Sequence, residues 1–234
     1  MTDRLDSNRW RFTGVLVVAA ALASLLIGAS QLGADDAQST ATPAPRADSL
    51  FTGIEQRGVA LGSPRAPVTL VEYADLQCPY CAQWSRETLP VLVRQYVATG
   101  KLRIVFQGLA FIGEDSDKAL RTVIAAGREE HLWDVLEGLY AQQGPENSGW
   151  VTDELIGEIA AGVPGLDHEQ LLATRWESSI DSDIDRAAAA ANSGGVKSTP
   201  AFQIGPTGGR LELVQVDSLG PEGIRPAIDA VLAR

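Results

Sequence analysis

The sequence predicts an α/β domain in which a βαβ half and a ββα half flank a block of helices. An apolar strand pattern at 68–73 is followed by a helical pattern and by a second strand pattern at 102–106. Apolar positions at helical spacing then fill about 115–193, and two more strand patterns precede a last helix. Parallel strands joined by a helix imply a right-handed crossover.

The composition is that of an acidic globular protein. Apolar residues make up 45% of the chain and charged residues 21%, and the net charge is −11. The sequence offers no basic patch to neutralise phosphates, so we expect no nucleic-acid partner. We interpret the acidity as a contribution to solubility.

The first fifty residues divide into three segments. Residues 1–11 carry Arg4, Arg9 and Arg11 and are predicted to be a cytoplasmic tail. Residues 12–32 are uncharged and long enough to cross a bilayer, so we predict a retained transmembrane anchor. The chain that follows the anchor would then lie on the extracytoplasmic side of the cell membrane. The alternative is a cleaved signal segment that releases a secreted or periplasmic protein. The small, polar and proline-containing residues 33–50 are predicted to be a flexible linker.

The remaining residues, 51–234, are predicted to form one domain whose βαβ half comes first. Residues 58–61 suggest a short edge strand, and 68–73 the central strand. A helix is expected over 79–98, ending near Gly100, before the strand at 102–106.

The helical insertion is predicted over about 115–193 and leads into the second half. Its first helix has a possible interruption at Gly127, and Asp167 opens a later helix with a pattern like a capping box. Strands at 201–204 and 211–216 are expected to form an antiparallel hairpin, and a helix over 221–233 closes the chain.

The chain contains two cysteines, Cys78 and Cys81, at the junction of the central strand and the next helix. The free N–H groups and positive dipole end of a helix N-terminus favour a thiolate at Cys78. Cys81 follows one turn later on the same face, where it can close a disulfide ring or resolve a mixed disulfide. Pro79 suits the first helical turn because its missing N–H costs nothing there. The pair therefore predicts dithiol–disulfide exchange.

Other interpretations of the cysteine pair are weaker. A structural zinc site wants four ligands, and only His131 and His168 could join the cysteines; we expect both histidines at the surface or at helix caps. A c-type haem site requires histidine where Ala82 stands. A purely structural disulfide is the remaining alternative, although so short a loop constrains little of the unfolded chain. We predict no metal and no organic cofactor.

This order of motifs resembles the DsbA-like thioredoxin-fold thiol:disulfide oxidoreductases over roughly residues 55–234. The resemblance rests on Cys78-Pro79-Tyr80-Cys81, on Glu72 six residues earlier, on the helical insertion, and on the run from Gly195 to Thr199-Pro200. It implies a thioredoxin-like fold in which Pro200 is cis and faces the cysteine pair.

The resemblance also suggests a role for Glu72, which lies in an otherwise apolar strand. Glu72 would accept the proton that Cys81 loses during resolution; otherwise it is a solvent-facing strand residue. Asp75 is nearer to Cys78 but is assigned to the loop. Tyr80 stands where strongly oxidising members of the family carry histidine, which leaves the direction of electron flow open.

The sequence thus predicts an extracytoplasmic, membrane-tethered thiol:disulfide oxidoreductase. Its Cys78–Cys81 disulfide would oxidise cysteines of exported proteins, and a membrane redox partner would reset it. A reductase or isomerase of the same fold is one alternative. A non-catalytic tethered binding or sensing module with a structural disulfide is the other, and a redox titration separates all three.

Overall fold

The computed structural model describes residues 49–234. The predicted tail at 1–11, the predicted membrane segment at 12–32 and nearly all of the predicted linker at 33–50 lie outside the described residues. Within the described part, no helix combines the length and apolarity that crossing a membrane requires.

The first half of the domain supplies four strands and the helices between them. In chain order these are β1 Gln56–Arg57, β2 Ala60–Leu61, β3 Val68–Ala74, α1 Pro79–Glu87, α2 Leu89–Leu92, a π-helical turn Val93–Val97, and β4 Leu102–Gly108.

The insertion and the second half follow. The insertion contains α3 Glu114–Arg128, α4 Leu132–Ala141, α5 Asp153–Ala161, α6 His168–Thr174 and α7 Ser178–Ser193. The second half contains β5 Ala201–Pro206, β6 Glu212–Val214 and α8 Pro221–Leu232.

One mixed sheet organises both halves, with the strand order β1-β2-β4-β3-β5-β6. The central strand β3 pairs in parallel with β4 and antiparallel with β5, while β5 and β6 form the predicted hairpin. Every residue of β3 is buried, as expected for a strand covered on both faces. The predicted α/β class, with a βαβ half and a ββα half around a helical insertion, is confirmed.

The single helix predicted over 79–98 is wrong, because the structure breaks it at Thr88 into α1, α2 and the π-helical turn. Pro90 has no N–H to donate to the carbonyl of Arg86, so the helix cannot continue regularly through this point. The Thr88 hydroxyl instead donates to the carbonyl of Leu219 at 2.5 Å, which ties the break to the start of the last helix.

A continuous apolar core joins the sheet to the insertion. Trp84 of α1 packs on Phe202 of β5 with ring centroids 5.1 Å apart. On the insertion side, Trp133 of α4 contacts both Phe51 and Phe106. The insertion is therefore part of the same folded unit as the sheet.

Candidate active site

The two cysteines lie at the start of α1, directly after the loop that follows β3. Cys78 is the N-cap residue of α1 and Pro79 is its first residue, as predicted. Both are free thiols; Cys78 is 5% exposed and Cys81 is fully buried. Tyr80 is 61% exposed and points its ring away from the core. Cys78 is thus the sulfur nearer to the surface.

The loop before β5 reaches the first cysteine. The Thr199–Pro200 peptide bond is cis, as the resemblance implies. The thiol of Cys78 donates to the carbonyl oxygen of Thr199, with 3.5 Å between sulfur and oxygen. The two halves of the fold therefore meet at Cys78.

The environment of Cys78 favours its thiolate. Its pKa falls from an ordinary value of 9.0 to about 6, mainly because the Cys81 side chain hydrogen-bonds to it. Burial opposes this shift, while a hydrogen bond with the side chain of Thr199 and hydrogen bonds with the backbones of Cys81 and Tyr80 add to it. A thiol with this pKa is largely ionised at neutral pH, as a nucleophile or leaving group in disulfide exchange requires.

The environment of Cys81 has the opposite effect. Burial raises its pKa well above 9.0, and the hydrogen bond and charge of Cys78 raise it further, followed by the charge of Glu72. A backbone hydrogen bond from Asp75 opposes these effects. The two thiols thus differ in pKa and in exposure.

Glu72 is a buried carboxyl group in the middle of β3, 2% exposed, so it is not a solvent-facing residue. Burial raises its pKa well above the ordinary value, and the charges of Glu137 and Cys78 add to the rise. A carboxyl group with a raised pKa beside a buried thiol is suited to exchange a proton with it.

The insertion contributes two side chains to the site that the sequence reasoning missed. The hydroxyl of Tyr140 in α4 donates to the carbonyl of Asp75 at 3.4 Å. Just beyond α4, the side-chain amide of Gln143 donates to the carbonyls of Leu76 at 2.7 Å and Cys78 at 3.2 Å. Tyr140 belongs to a helical apolar pattern, and sequence spacing alone does not reveal which end of a packed helix meets the cysteines.

Asp75 lies in the loop, as predicted, but it is fully buried and organises that loop. One carboxylate oxygen accepts from the Gln77 N–H at 2.9 Å and from the Ser116 hydroxyl at 2.5 Å. The other accepts from the N–H groups of Phe111 at 3.1 Å and Ile112 at 3.2 Å. Asp75 therefore joins the loop that carries Cys78 to the loop that follows β4.

The two histidines take the places predicted for them. His131 immediately precedes α4, with Nδ1 3.5 Å from a carboxylate oxygen of Asp134, and His168 is the exposed first residue of α6. Within residues 49–234, no group of three or more histidine, cysteine, aspartate and glutamate side chains is arranged to hold a metal ion.

The arrangement provides three groups with distinct chemical properties. Cys78 is a low-pKa sulfur near the surface, Cys81 is a buried high-pKa thiol one turn away, and Glu72 is a buried carboxyl group beside them. Together they can form a mixed disulfide, resolve it and handle the proton that resolution moves.

Several known proteins have sequences related to this chain. A "Probable disulfide bond formation protein D" of Bacillus anthracis is 33% identical over 135 residues, covering 55% of this chain and 62% of the relative. "Disulfide bond formation protein D" of Bacillus subtilis is 25% identical over 146 residues, covering 62% of this chain and 66% of the relative. The matches therefore span just under two thirds of these relatives' lengths.

Solved structures and a sequence-family match identify the fold and the family of this chain. Oxidised BdbD from Bacillus subtilis superposes with a TM-score of 0.66 at 21% identity, covering 77% of this chain and 98% of that one. Pseudomonas aeruginosa DsbA2 superposes with a TM-score of 0.59 at 25% identity, covering 76% and 96%. The family described as thioredoxin matches residues 55–229. The chain therefore belongs to the thioredoxin family and has the DsbA-like form of its fold.

Proposed function

We propose that the protein is a thiol:disulfide oxidoreductase that oxidises cysteines of exported proteins through a Cys78–Cys81 disulfide. The observation that carries the proposal is the divergence of the two thiols: the pKa of Cys78 is lowered to about 6, while that of buried Cys81 is raised. A structural disulfide requires no such difference. The relatives named for disulfide bond formation support the same chemistry.

The oxidising direction follows from the state that the site stabilises. A thiolate on Cys78 at neutral pH stabilises the reduced form relative to the disulfide, which makes the disulfide more oxidising. The pKa of Cys78 is this low although position 80 is tyrosine and not histidine, mainly because of the hydrogen bond with the Cys81 side chain. A reductase or isomerase is the outcome to expect if the potential proves close to that of thioredoxin.

The proposed cycle balances without any other cofactor. A substrate thiolate attacks Cys78 of the oxidised enzyme, and the sulfur–sulfur bond to Cys81 breaks. Cys81 leaves as a thiolate and takes a proton from Glu72. A second substrate thiolate attacks the substrate sulfur of the mixed disulfide, so Cys78 leaves as a thiolate. The substrate has lost two electrons as its disulfide forms, and the enzyme pair has gained them.

The experiment measures oxidation of a reduced, unfolded protein substrate by the pre-oxidised enzyme. Cys78→Ser and Cys81→Ser should both abolish oxidation, because neither variant can form the disulfide. The Cys78 thiolate of reduced Cys81→Ser should still attack an oxidised protein substrate, break its disulfide and accumulate as a mixed disulfide, whereas reduced Cys78→Ser should not. A redox titration against glutathione gives the direction of electron flow. Unchanged turnover in Cys78→Ser, together with unshifted thiol titrations, would leave only the structural disulfide.

We further propose that the enzyme works outside the cytoplasm, anchored by residues 12–32, and that a membrane redox partner reoxidises it. The support is the uncharged run at 12–32 preceded by arginines, and a compartment in which disulfides persist. The full chain should fractionate with membranes and resist carbonate extraction. A soluble form beginning near Gln31 would show instead that the segment is cleaved.

A further inference from the structure

A second carboxyl group approaches the cysteine pair from the insertion side. Glu137 lies on α4, which packs against α1, and its Oε1 accepts a hydrogen bond from the Ser85 hydroxyl. Ser85 is buried and stands four residues after Cys81 in α1. Residues at this spacing lie one turn apart on the same helix face, so Glu137 is held next to the turn that carries the resolving thiol.

The charge of Glu137 acts on the protonation of Glu72. After burial, the charge of Glu137 is the largest cause of the raised pKa of Glu72. Burial also raises the pKa of Glu137, whereas the Ser85 hydrogen bond and the charge of Arg86 lower it. Neighbouring carboxyl groups in a low-dielectric site do not ionise independently, so a proton on one favours ionisation of the other.

The two groups differ in their access to water. Glu72 lies on the central strand and is almost fully buried, whereas Glu137 is partly exposed. Beside Glu137, the exposed side chain of Arg86 donates to the Tyr140 carbonyl at 3.2 Å, which makes the outer end of this region polar. Of the two carboxyl groups, Glu137 is therefore the one that can exchange a proton with water directly.

We propose that Glu137 relays protons between Glu72 and solvent whenever Cys81 gains or loses a proton, with Ser85 holding its carboxylate in position. Glu137 does not touch the reacting sulfur atoms, so it is a positioning and relay residue. The inference rests on the proposed function, because protons need to move only if the cysteines exchange disulfides.

The step that tests the relay is resolution of a mixed disulfide on Cys78. The Cys81 thiol gives its proton to Glu72, and the resulting thiolate attacks the sulfur of Cys78. The Cys78–Cys81 bond forms, the bond to the attached thiol breaks, and the attached thiol leaves with the electron pair as a thiolate. Glu72 then passes the proton through Glu137 to water.

The experiment mixes the reduced protein with a symmetrical aromatic disulfide and follows the coloured thiol in a stopped-flow instrument over a range of pH. A first phase reports attack by Cys78, and a second phase reports resolution by Cys81. In Glu137→Gln the second phase should slow about three- to tenfold near neutral pH, at the lower end of what general acid–base groups contribute. Its pH midpoint should fall, because Glu72 loses a neighbouring negative charge. The first phase should be unchanged.

Three further variants separate a relay from a merely structural contact. Glu137→Asp keeps a titrating carboxyl group and should recover part of the rate and of the midpoint. Ser85→Ala should slow the second phase while leaving the midpoint near that of the wild type. The matched control is Glu158→Gln, which neutralises an exposed carboxylate on α5 and should change neither phase.

Several results would overturn the relay. They are a second phase in Glu137→Gln whose rate lies within about twofold of the wild type and whose pH midpoint is unchanged, an equal loss of rate in Glu158→Gln, and an equal loss of rate in Glu137→Asp and Glu137→Gln with no change of midpoint. These results leave the proposed function intact, because the wild type still shows both phases. A wild-type protein that shows no first phase would overturn the proposed function and the relay together.

Discussion

The low pKa of Cys78 depends most on one neighbour, the side chain of Cys81, so we expect Cys81→Ala to raise it. A hydrogen bond to a charged group is worth about 1.5–3 kcal/mol. At 1.36 kcal/mol for each pKa unit, its loss should move Cys78 from about 6 to about 7–8. The thiolate fraction at pH 7 would then fall from about nine tenths to between about one half and one tenth.

The assay is the ultraviolet absorbance of the thiolate as a function of pH, together with the rate of alkylation by iodoacetamide. Alkylation of Cys78 at pH 7 should slow about two- to tenfold in Cys81→Ala, in proportion to the thiolate fraction. Cys81→Ser keeps a hydroxyl donor and should shift the titration less. If Cys78 still titrates near 6 in Cys81→Ala, or if the Ala and Ser variants titrate alike, the hydrogen bond is not the cause.

Three further predictions concern stability. Because the folded pKa of Cys78 lies below its ordinary value, Cys78 should contribute its full stabilisation of the reduced protein above pH 9 and lose it as the pH falls through 6. Relative to the disulfide form, the free energy of unfolding of the reduced protein should therefore rise about 1 kcal/mol between pH 7 and 8, and denaturant titrations showing no rise would contradict this. Asp75→Ala leaves four hydrogen-bond donors without an acceptor and should lower the free energy of unfolding by about 3 kcal/mol or more in urea titrations. Asp75→Asn should lower it less, and an equal loss of stability in the two variants would refute the acceptor role of Asp75. Trp84→Ala should lower the free energy of unfolding by about 3–5 kcal/mol because Trp84 fills the core against Phe202. Trp176 is half-exposed, so Trp176→Ala should lower it by less than about 1 kcal/mol, and similar losses in the two variants would count against the packing argument.

Local patterns were sufficient to predict most of the fold. The apolar run of β3, the N-terminal position of Cys78 and the hairpin of β5 and β6 each follow from a few adjacent residues, and the structure agrees. The prediction of one regular helix over 79–98 was wrong because the apolar spacing continues past Pro90, whereas the regular hydrogen-bond pattern of an α-helix cannot continue through a proline. Apolar periodicity reports which face is buried and is insensitive to a missing N–H.

The site was predictable where its residues are close in sequence and less so where they are not. Cys78 and Cys81 could be paired by spacing, and Pro200 and Glu72 came from the resemblance. Tyr140 and Glu137 reach the site only through packing of α4 against α1, which one sequence does not specify. One local signal was available: Ser85 is a polar residue on the buried face of α1, which calls for a partner from another element.

The hydrogen bonds from Gln143 to the cysteine loop bear on how far this domain could be reduced in size. An excision that joins Leu109 directly to Val196 would retain all six strands, yet it would remove the donor to the carbonyls of Leu76 and Cys78. Burial is also the largest cause of the raised pKa of Cys81, and α4 of the insertion packs against the helix that carries Cys81. A minimal core cut from this chain should therefore hold the cysteine loop less firmly and show a smaller difference in pKa between its two thiols.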